Sequence, residues 1–311
     1  MTALAFSSTR SWRALPSSFG RIAAALLVAA SLAGCSTSNT LEVKPTASVA
    51  ASSFVDGKYA ALVIDAANGK VLYAVSERSP RYPASLTKMM TLYILFEALQ
   101  SGQVNMATQI PVSVSAASQP PSKIGLRPGE TIDVDTAIRA LAVKSGNDVA
   151  AAVGEYFGGG TEEGAAALMT AKARSLGMNA TTFRNASGLP DPLQTTTARD
   201  MAVLGLALQK RFPQHFHYFS DTQFAFKGKV IRGHNDMLGR VQGVDGIKTG
   251  YIRASGFNIV TSVNRGGRRL IVVVMGGDTA RKRNAHVEEL IERYLPSSPF
   301  AQPSAVLSTG L

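Results

Sequence analysis

Ser85 and Lys88 stand three residues apart in Pro83-Ala84-Ser85-Leu86-Thr87-Lys88. On a helix that spacing puts a hydroxyl and an amine one turn apart on one face. The run that follows, Met89-Met90-Thr91-Leu92-Tyr93-Ile94-Leu95-Phe96, is apolar nearly all round. That is the pattern of a helix buried inside a domain. A lysine at the head of such a helix loses solvation, which favours its neutral form. A neutral amine beside a serine can take the proton that makes the hydroxyl a nucleophile. The plain alternative is a serine that caps a helix. Ser-x-x-Lys also arises by chance in a chain rich in both residues, so the pair needs support from elsewhere.

Two further stretches supply it. Ser145-Gly146-Asn147 places a hydroxyl and an amide two residues apart around a glycine, a pair able to relay a proton and grip a peptide carbonyl. Alone it is weak, since Ser262-Val263-Asn264 has the same spacing at the end of an expected strand. Lys248-Thr249-Gly250 occurs once, followed by Tyr251. A cation there suits a carboxylate or an electrostatic role, and Gly250 lets a ligand backbone come close.

In this chain order the three motifs are those of penicillin-binding proteins and β-lactamases, with Ser-Gly-Asn where that set has Ser-Asp-Asn. The chain resembles the low-molecular-mass penicillin-binding proteins, the D-alanyl-D-alanine carboxypeptidase and endopeptidase family, over about residues 54–295. Asn185-Ala186-Ser187-Gly188-Leu189-Pro190, Thr197-Ala198-Arg199-Asp200-Met201 and Gly276-Gly277-Asp278-Thr279, with Arg283 shortly after, share in the likeness. The resemblance implies that Ser85 attacks the carbonyl of the penultimate D-alanine of a peptidoglycan stem peptide and that Lys88 is its base. It implies that Ser145 passes a proton to the leaving amine with support from Lys248, and that Asn147 holds the substrate amide. The backbone amides of Ser85 and Tyr251 would form the oxyanion hole, while Thr249 and Arg283 would hold the terminal carboxylate. β-Lactams would be covalent inhibitors, and no metal or organic cofactor is implied. For Arg283 the competing reading is a solvated residue in a first helical turn; for Tyr251, a ring that packs on the cleft rim.

Carboxypeptidase is preferred slightly over endopeptidase. A β-lactamase with a glutamate-activated water is disfavoured, because Asn185–Gln194 contains no glutamate. A silent cell-wall-binding lipoprotein would have no need of all these reactive groups. Family members often carry a second β domain and an amphipathic C-terminal helix. The 16 residues from Pro296 on are too few for either.

The elements that must position these groups are legible from periodicity. Tyr59–Ile64 and Val71–Val75 read as strands joined at Asn68-Gly69, a strong hairpin signal. The Ser85 helix should end near Gly102, and residues 103–132 read as loop with short strands. Helices are expected from Asp133 to about Val143, over Val149–Phe157 and over Glu162–Leu176. Asn185–Gln194, with two prolines, should be irregular. Thr197 with Asp200 has capping-box spacing and opens a helix to about Lys210. Gln223–Val230, Gly246–Thr249, Gly256–Val263 and Leu270–Met275 read as strands, and Arg281–Tyr294 as a closing amphipathic helix. The expected fold is mixed α/β (α+β) of the β-lactamase and DD-peptidase type. A five-stranded antiparallel sheet with terminal helices would carry an inserted helical subdomain, with the cleft between them.

Composition agrees with a packed catalytic domain. The 311 residues are 45% hydrophobic and 17% charged, too few charges for a disordered chain. Net charge is +11, or +8 without Arg10, Arg13 and Arg21, which suits an anionic setting such as wall polymer or lipid head groups. Nucleic acid is disfavoured, because the basic residues are scattered and no nucleic-acid-binding signature is present. The four histidines lack metal-ligand spacing.

Residues 1–21 are basic and free of acid, and Ile22–Ala33 is small and apolar, the makings of a signal peptide. The stretch ends in Leu32-Ala33-Gly34-Cys35, which resembles the lipobox of bacterial lipoproteins and contains the chain's one cysteine. Ordinary signal cleavage near Ala30 is the alternative. The lipobox reading makes residues 1–34 a signal peptide and Cys35 the lipidated residue that anchors an exported, periplasmic enzyme to a membrane. Ser36 after the cysteine implies the outer membrane where the cell has one. Residues 35–53 read as a flexible tether, 54–296 as the catalytic domain and 297–311 as a disordered tail.

Overall fold

Side chains along the strand Arg268–Gly277 (β9) face two cores in strict alternation. Ile271, Val273 and Met275 join one apolar cluster, while Leu270, Val272 and Val274 join another. A strand covered on both faces reads as a continuous apolar run, which is what Leu270–Met275 is. β9 is the middle strand of an antiparallel sheet of five. Ala60–Asp65 (β1) and Val71–Val75 (β2) lie on one side of it, Gly256–Arg265 (β8) and Val244–Ile252 (β7) on the other, in the order β2-β1-β9-β8-β7. The two chain-terminal strands thus join the last three, as expected.

The computed structural model describes residues 57–297. The signal peptide, Cys35, the tether and the tail all lie outside the described residues. The described residues fall within one compact unit. Among them no helix is long and apolar enough to cross a membrane.

Helix Ala280–Tyr294 (α7) covers the outer face of the sheet with Val287, Leu290 and Ile291. Of the expected terminal helices, it is the one within the described residues. On the inner face, Ala198–Arg211 (α6) packs on β1, β8 and β9, and Lys88–Gln100 (α1) runs through the centre of the larger core. Every α1 residue from Lys88 to Phe96 is buried, as its all-round apolarity requires. The helical block adds Val114–Ser118 (α2), Val134–Arg139 (α3), Asn147–Phe157 (α4) and Glu162–Ser175 (α5), with Gln109–Pro111 (β3) paired to Thr131–Asp133 (β4).

Three local differences from expectation have physical causes. Asp133 caps α3 by accepting from the Thr136 amide at 2.8 Å, but α3 widens into a π turn over Ala140–Lys144. The expected strand Gln223–Val230 is instead a hairpin, Gln223–Phe226 (β5) with Lys229–Arg232 (β6), forming its own two-stranded sheet. Lys227 at φ +47° and Gly228 at φ +74° reverse the chain there. Two left-handed central residues suit the twist of a tight hairpin, and Lys-Gly is a weaker sequence signal for it than Asn-Gly. At α6, Thr197 caps the helix by accepting from the Asp200 amide at 3.0 Å. The Asp200 carboxylate does not reach back; it accepts from the Ala180 amide and the Thr181 hydroxyl, so it ties a loop to the helix instead.

Candidate active site

Ser85 lies on a short 3-10 turn, Ala84–Thr87, that leads directly into α1, so Lys88 is the first α-helical residue. Two glycines allow neighbouring segments to press on this turn. A Cβ at Gly250 of β7 would stand 3.0 Å from the Ser85 amide nitrogen and 3.1 Å from that of Leu86. A Cβ at Gly188, whose φ is +86°, would stand 1.9 Å from the Ala84 carbonyl oxygen. Only glycine fits the second approach, and at the first the neighbouring backbone would have to give by a few tenths of an ångström.

Lys88 is fully buried. Its Nζ donates to Asn147 Oδ1 at 2.7 Å and to the Ser187 carbonyl at 2.5 Å, and lies 3.4 Å from Ser85 Oγ. The Asn147 amide orientation is set by its Nδ2, which donates to the Pro120 carbonyl at 2.8 Å. Burial and then the Lys248 charge push Lys88 well below the usual lysine range, with Asp148 acting the other way. A neutral amine has two N–H bonds and one lone pair. Asn147 Oδ1 and the Ser187 carbonyl accept the two protons, which leaves the lone pair for the Ser85 hydroxyl.

Ser145 ends the π turn in the left-handed region, at φ +61° and ψ +39°. Its buried Oγ has no hydrogen-bond partner among the described residues. A non-glycine residue held in that conformation with an unsatisfied hydroxyl is the kind of local strain that clusters at functional sites.

Lys248 on β7 is 2% exposed, so it is not a surface strand lysine. Its Nζ donates to the Thr249 carbonyl at 3.0 Å, and burial followed by the charge of Arg283 pushes it down to about 7. Arg283, in the first turn of α7, is also 2% exposed rather than solvated. It donates to the Asn258 carbonyl at 2.6 Å and to Asn284 Oδ1 at 2.9 Å, and burial pushes it down to about 10 against the pull of Asp236. The Tyr251 ring stacks on Phe257 with centroids 4.2 Å apart and stays half exposed at the rim.

These residues surround a cleft of about 470 Å³, lined by Ser85, Ser145, Asn147, Thr249, Tyr251 and Arg283 among others. Gly250 also lines it, while Lys88 sits behind Ser85. A second cavity of about 320 Å³ shares Gly233, His234, Asp236 and Thr249 with it and reaches Lys248. Sequence reading missed His234 and Asp236, which line both spaces from the connection between β6 and β7. It also missed the Ser187 carbonyl, which is invisible as a side-chain signal. Among the described residues no group of three or more His, Cys, Asp or Glu could hold a metal ion.

A serine hydroxyl and a buried amine lie where a five-stranded antiparallel sheet meets a helical block, and the fold is of the β-lactamase-like, penicillin-binding protein type. The profile of the D-alanyl-D-alanine carboxypeptidases, peptidase family S11, matches residues 44–279, and the chain belongs to that family. D-alanyl-D-alanine carboxypeptidase DacF of Bacillus subtilis is 33% identical over 241 residues, covering 75% of this chain and 60% of the relative. D-alanyl-D-alanine carboxypeptidase DacC of Escherichia coli is 34% identical over 258 residues, covering 80% and 64%. The chain thus spans about three fifths of the length of the curated relatives it matches. Among solved structures, the carboxypeptidase DacD of Francisella tularensis superposes with a TM-score of 0.72 at 29% identity, covering 77% of this chain and 70% of that one. Ampicillin-bound penicillin-binding protein D2 of Listeria monocytogenes gives 0.65 at 30% identity, covering 75% and 95%.

Proposed function

We propose that the protein is a serine D-alanyl-D-alanine carboxypeptidase that trims peptidoglycan stem peptides through an acyl-enzyme on Ser85. The observation that carries this reading is the Lys88 amine, with both protons directed to fixed acceptors and its lone pair left for Ser85 Oγ. The Ser85 proton passes to Lys88 Nζ as Oγ bonds the carbonyl carbon of the penultimate residue. The carbon–nitrogen bond then breaks, and the departing amine receives a proton through Ser145, whose hydroxyl is uncommitted. Lys248 supports that transfer electrostatically, and Asn147 holds the substrate amide. The Ser85 and Tyr251 amides receive the oxyanion, where one lost donor typically costs ~3 kcal/mol of barrier. Thr249 and Arg283 bind the terminal carboxylate. Water then releases the trimmed peptide. β-Lactams enter by the same acylation.

The loop 185–194 supports a long-lived penicillin adduct. It contains no glutamate, and its Gln194 Oε1 already accepts the Arg184 and Asn185 amides. The second cavity, which shares Thr249 with the cleft, favours a second reading, endopeptidase cleavage of cross-links, because it offers room beside the site for a leaving group larger than alanine. The stretch ending in Leu32-Ala33-Gly34-Cys35 supports export and a lipid anchor on Cys35, at a periplasmic membrane face.

The test is incubation of the purified protein with a labelled penicillin, followed by intact mass over time. The expected result is a stable adduct mapping to Ser85, absent in Ser85→Ala. Rapid turnover to the hydrolysed drug would make it a β-lactamase. No adduct at all would leave a silent wall-binding protein.

A further inference from the structure

Directly after Asn147 stands a carboxylate to which the mechanism gives no part. Asp148 is completely buried at the start of α4. Its Oδ2 accepts from three successive amides of another segment, Ile124 at 3.1 Å, Gly125 at 2.9 Å and Leu126 at 3.1 Å. Its Oδ1 accepts from the Val149 amide at 2.9 Å, within its own helix. Consecutive amides converge on one anion only when the backbone folds into a concave nest, and Gly125 at φ +86° supplies the bend.

The same segment is bound to the Ser145 turn at three more points. The Asn147 amide donates to the Ser122 carbonyl at 2.6 Å, Asn147 Nδ2 to the Pro120 carbonyl at 2.8 Å, and Ser122 Oγ to the Lys144 carbonyl at 3.0 Å. Pro121 and Ser122 line the cleft. Between α2 and β4 the segment belongs to no helix or strand of its own. Its shape is set by what it is tied to, and the charged tie is Asp148.

We propose that Asp148 is the positioning residue of this site. Its carboxylate folds residues 120–126 onto the Ser145–Asn147 turn, and so builds one part of the cleft wall and fixes the Asn147 amide toward Lys88. The inference rests on the acyl-enzyme reading for its kinetic consequences, but not for its structural one. Charge supports it: Lys88 is influenced by the cation of Lys248 and by the anion of Asp148, in opposite senses. A carboxylate accepts on both oxygens, whereas asparagine has one acceptor oxygen and sets N–H donors against the amides that the other oxygen served.

The experiment pairs Asp148→Asn with Gly125→Ala in the full chain. Three readouts are followed: penicillin acylation against pH, amide hydrogen exchange and thermal melting. For Asp148→Asn the expected results are faster exchange at Ile124, Gly125 and Leu126 with β8 and β9 still protected, and acylation slower by roughly tenfold or more. The acid limb of the acylation profile should also move to lower pH, because the anion that held Lys88 up is gone. Unchanged exchange at those amides, or an unmoved acid limb with a rate loss matching only the unfolded fraction, overturns the proposal. If Asp148→Asn does not fold, Gly125→Ala decides. Its Cβ meets nothing within 4 Å, so the substitution strains only the nest. It should slow acylation too, and wild-type acylation in that variant overturns the proposal. A wild-type protein that penicillin never acylates sinks the enzymatic reading instead, and exchange at the three amides still judges Asp148.

Discussion

Two buried lysines make the chemistry of this site a question of protonation at the residue scale. In the proposed mechanism Lys88 must be neutral to take the Ser85 proton, and Lys248 acts electrostatically only while it carries charge. Acylation should therefore rise with pH as Lys88 loses its proton and fall again as Lys248 loses its own near 7. Arg283 is the charge that pushes Lys248 down beyond burial itself. Arg283→Gln should then lower acylation by removing a carboxylate ligand and also move the alkaline limb to higher pH. A lowered rate with an unmoved limb would count against the coupling. Stability carries the opposite interest. Unfolded lysine titrates near ~10.4, and folded Lys248 near 7, so between them the unfolded chain binds more protons and stability rises with pH. Below about 7 the full penalty of burying the cation is felt. Lys248→Met should accordingly melt higher at pH 7 and show a flatter pH dependence of Tm, while losing acylation; a lower Tm would show that the lysine stabilises the fold. At this scale the sequence was informative where chemistry follows chain spacing, as with Ser85, Lys88 and Lys248. It was silent where the partner is distant or a backbone group: the Ser187 carbonyl under Lys88, the amides around Asp148, the His234 side chain at the cleft.

Elements hold these groups by close approach more than by regular contacts. The Ser85 turn is pressed by β7 at Gly250 and by the 185–194 loop at Gly188, and the second approach leaves no room for a methyl group. Gly188→Ala must displace either the loop or the Ser85 turn. A displacement of about 1 Å at a nucleophile can cost on the order of 100-fold, so acylation should fall by that order. The contrast is Thr197→Ala, which removes the α6 cap on the far side of that loop. It should lower stability by about 1 kcal/mol, roughly 2–4 °C in Tm, and leave acylation unchanged. Equal acylation rates for Gly188→Ala and wild type would mean the loop can retreat freely. Periodicity revealed most of the architecture behind this arrangement: the β1–β2 hairpin at Asn68-Gly69, the apolar cylinder of α1, the doubly buried β9. It failed where a conformation depends on the tertiary setting. Nothing in Ala140–Lys144 announces a π turn, yet that turn delivers Ser145 into a left-handed conformation. Likewise Asp200 has the spacing of a capping box but answers to Thr181 and Ala180, which come near only once the chain has folded.

For the whole molecule, the proposed function makes the substrate an immobile wall polymer. The lipid anchor proposed on Cys35 would hold the enzyme beside that polymer. The described structure starts at Gly57, and 21 residues separate Cys35 from it. One acyl chain holds a protein only reversibly, whereas a lipobox cysteine with diacylglycerol brings at least two, enough for stable attachment. We therefore expect Cys35→Ala, expressed in a bacterial host, to leave the membrane fraction and the detergent phase for the soluble one. Penicillin acylation by the released protein should be unchanged, because the residues proposed to carry it, from Ser85 to Arg283, are untouched by the substitution. The net positive charge of the chain could by itself hold the protein at anionic lipid, and salt separates the two causes. Charge attraction fades as the screening length falls from ~10 Å at 0.1 M to ~3 Å at 1 M, while a lipid anchor is indifferent to it. Wild-type protein that washes off membranes in 1 M salt, or Cys35→Ala protein that stays on them, would replace the lipid anchor with electrostatic attachment.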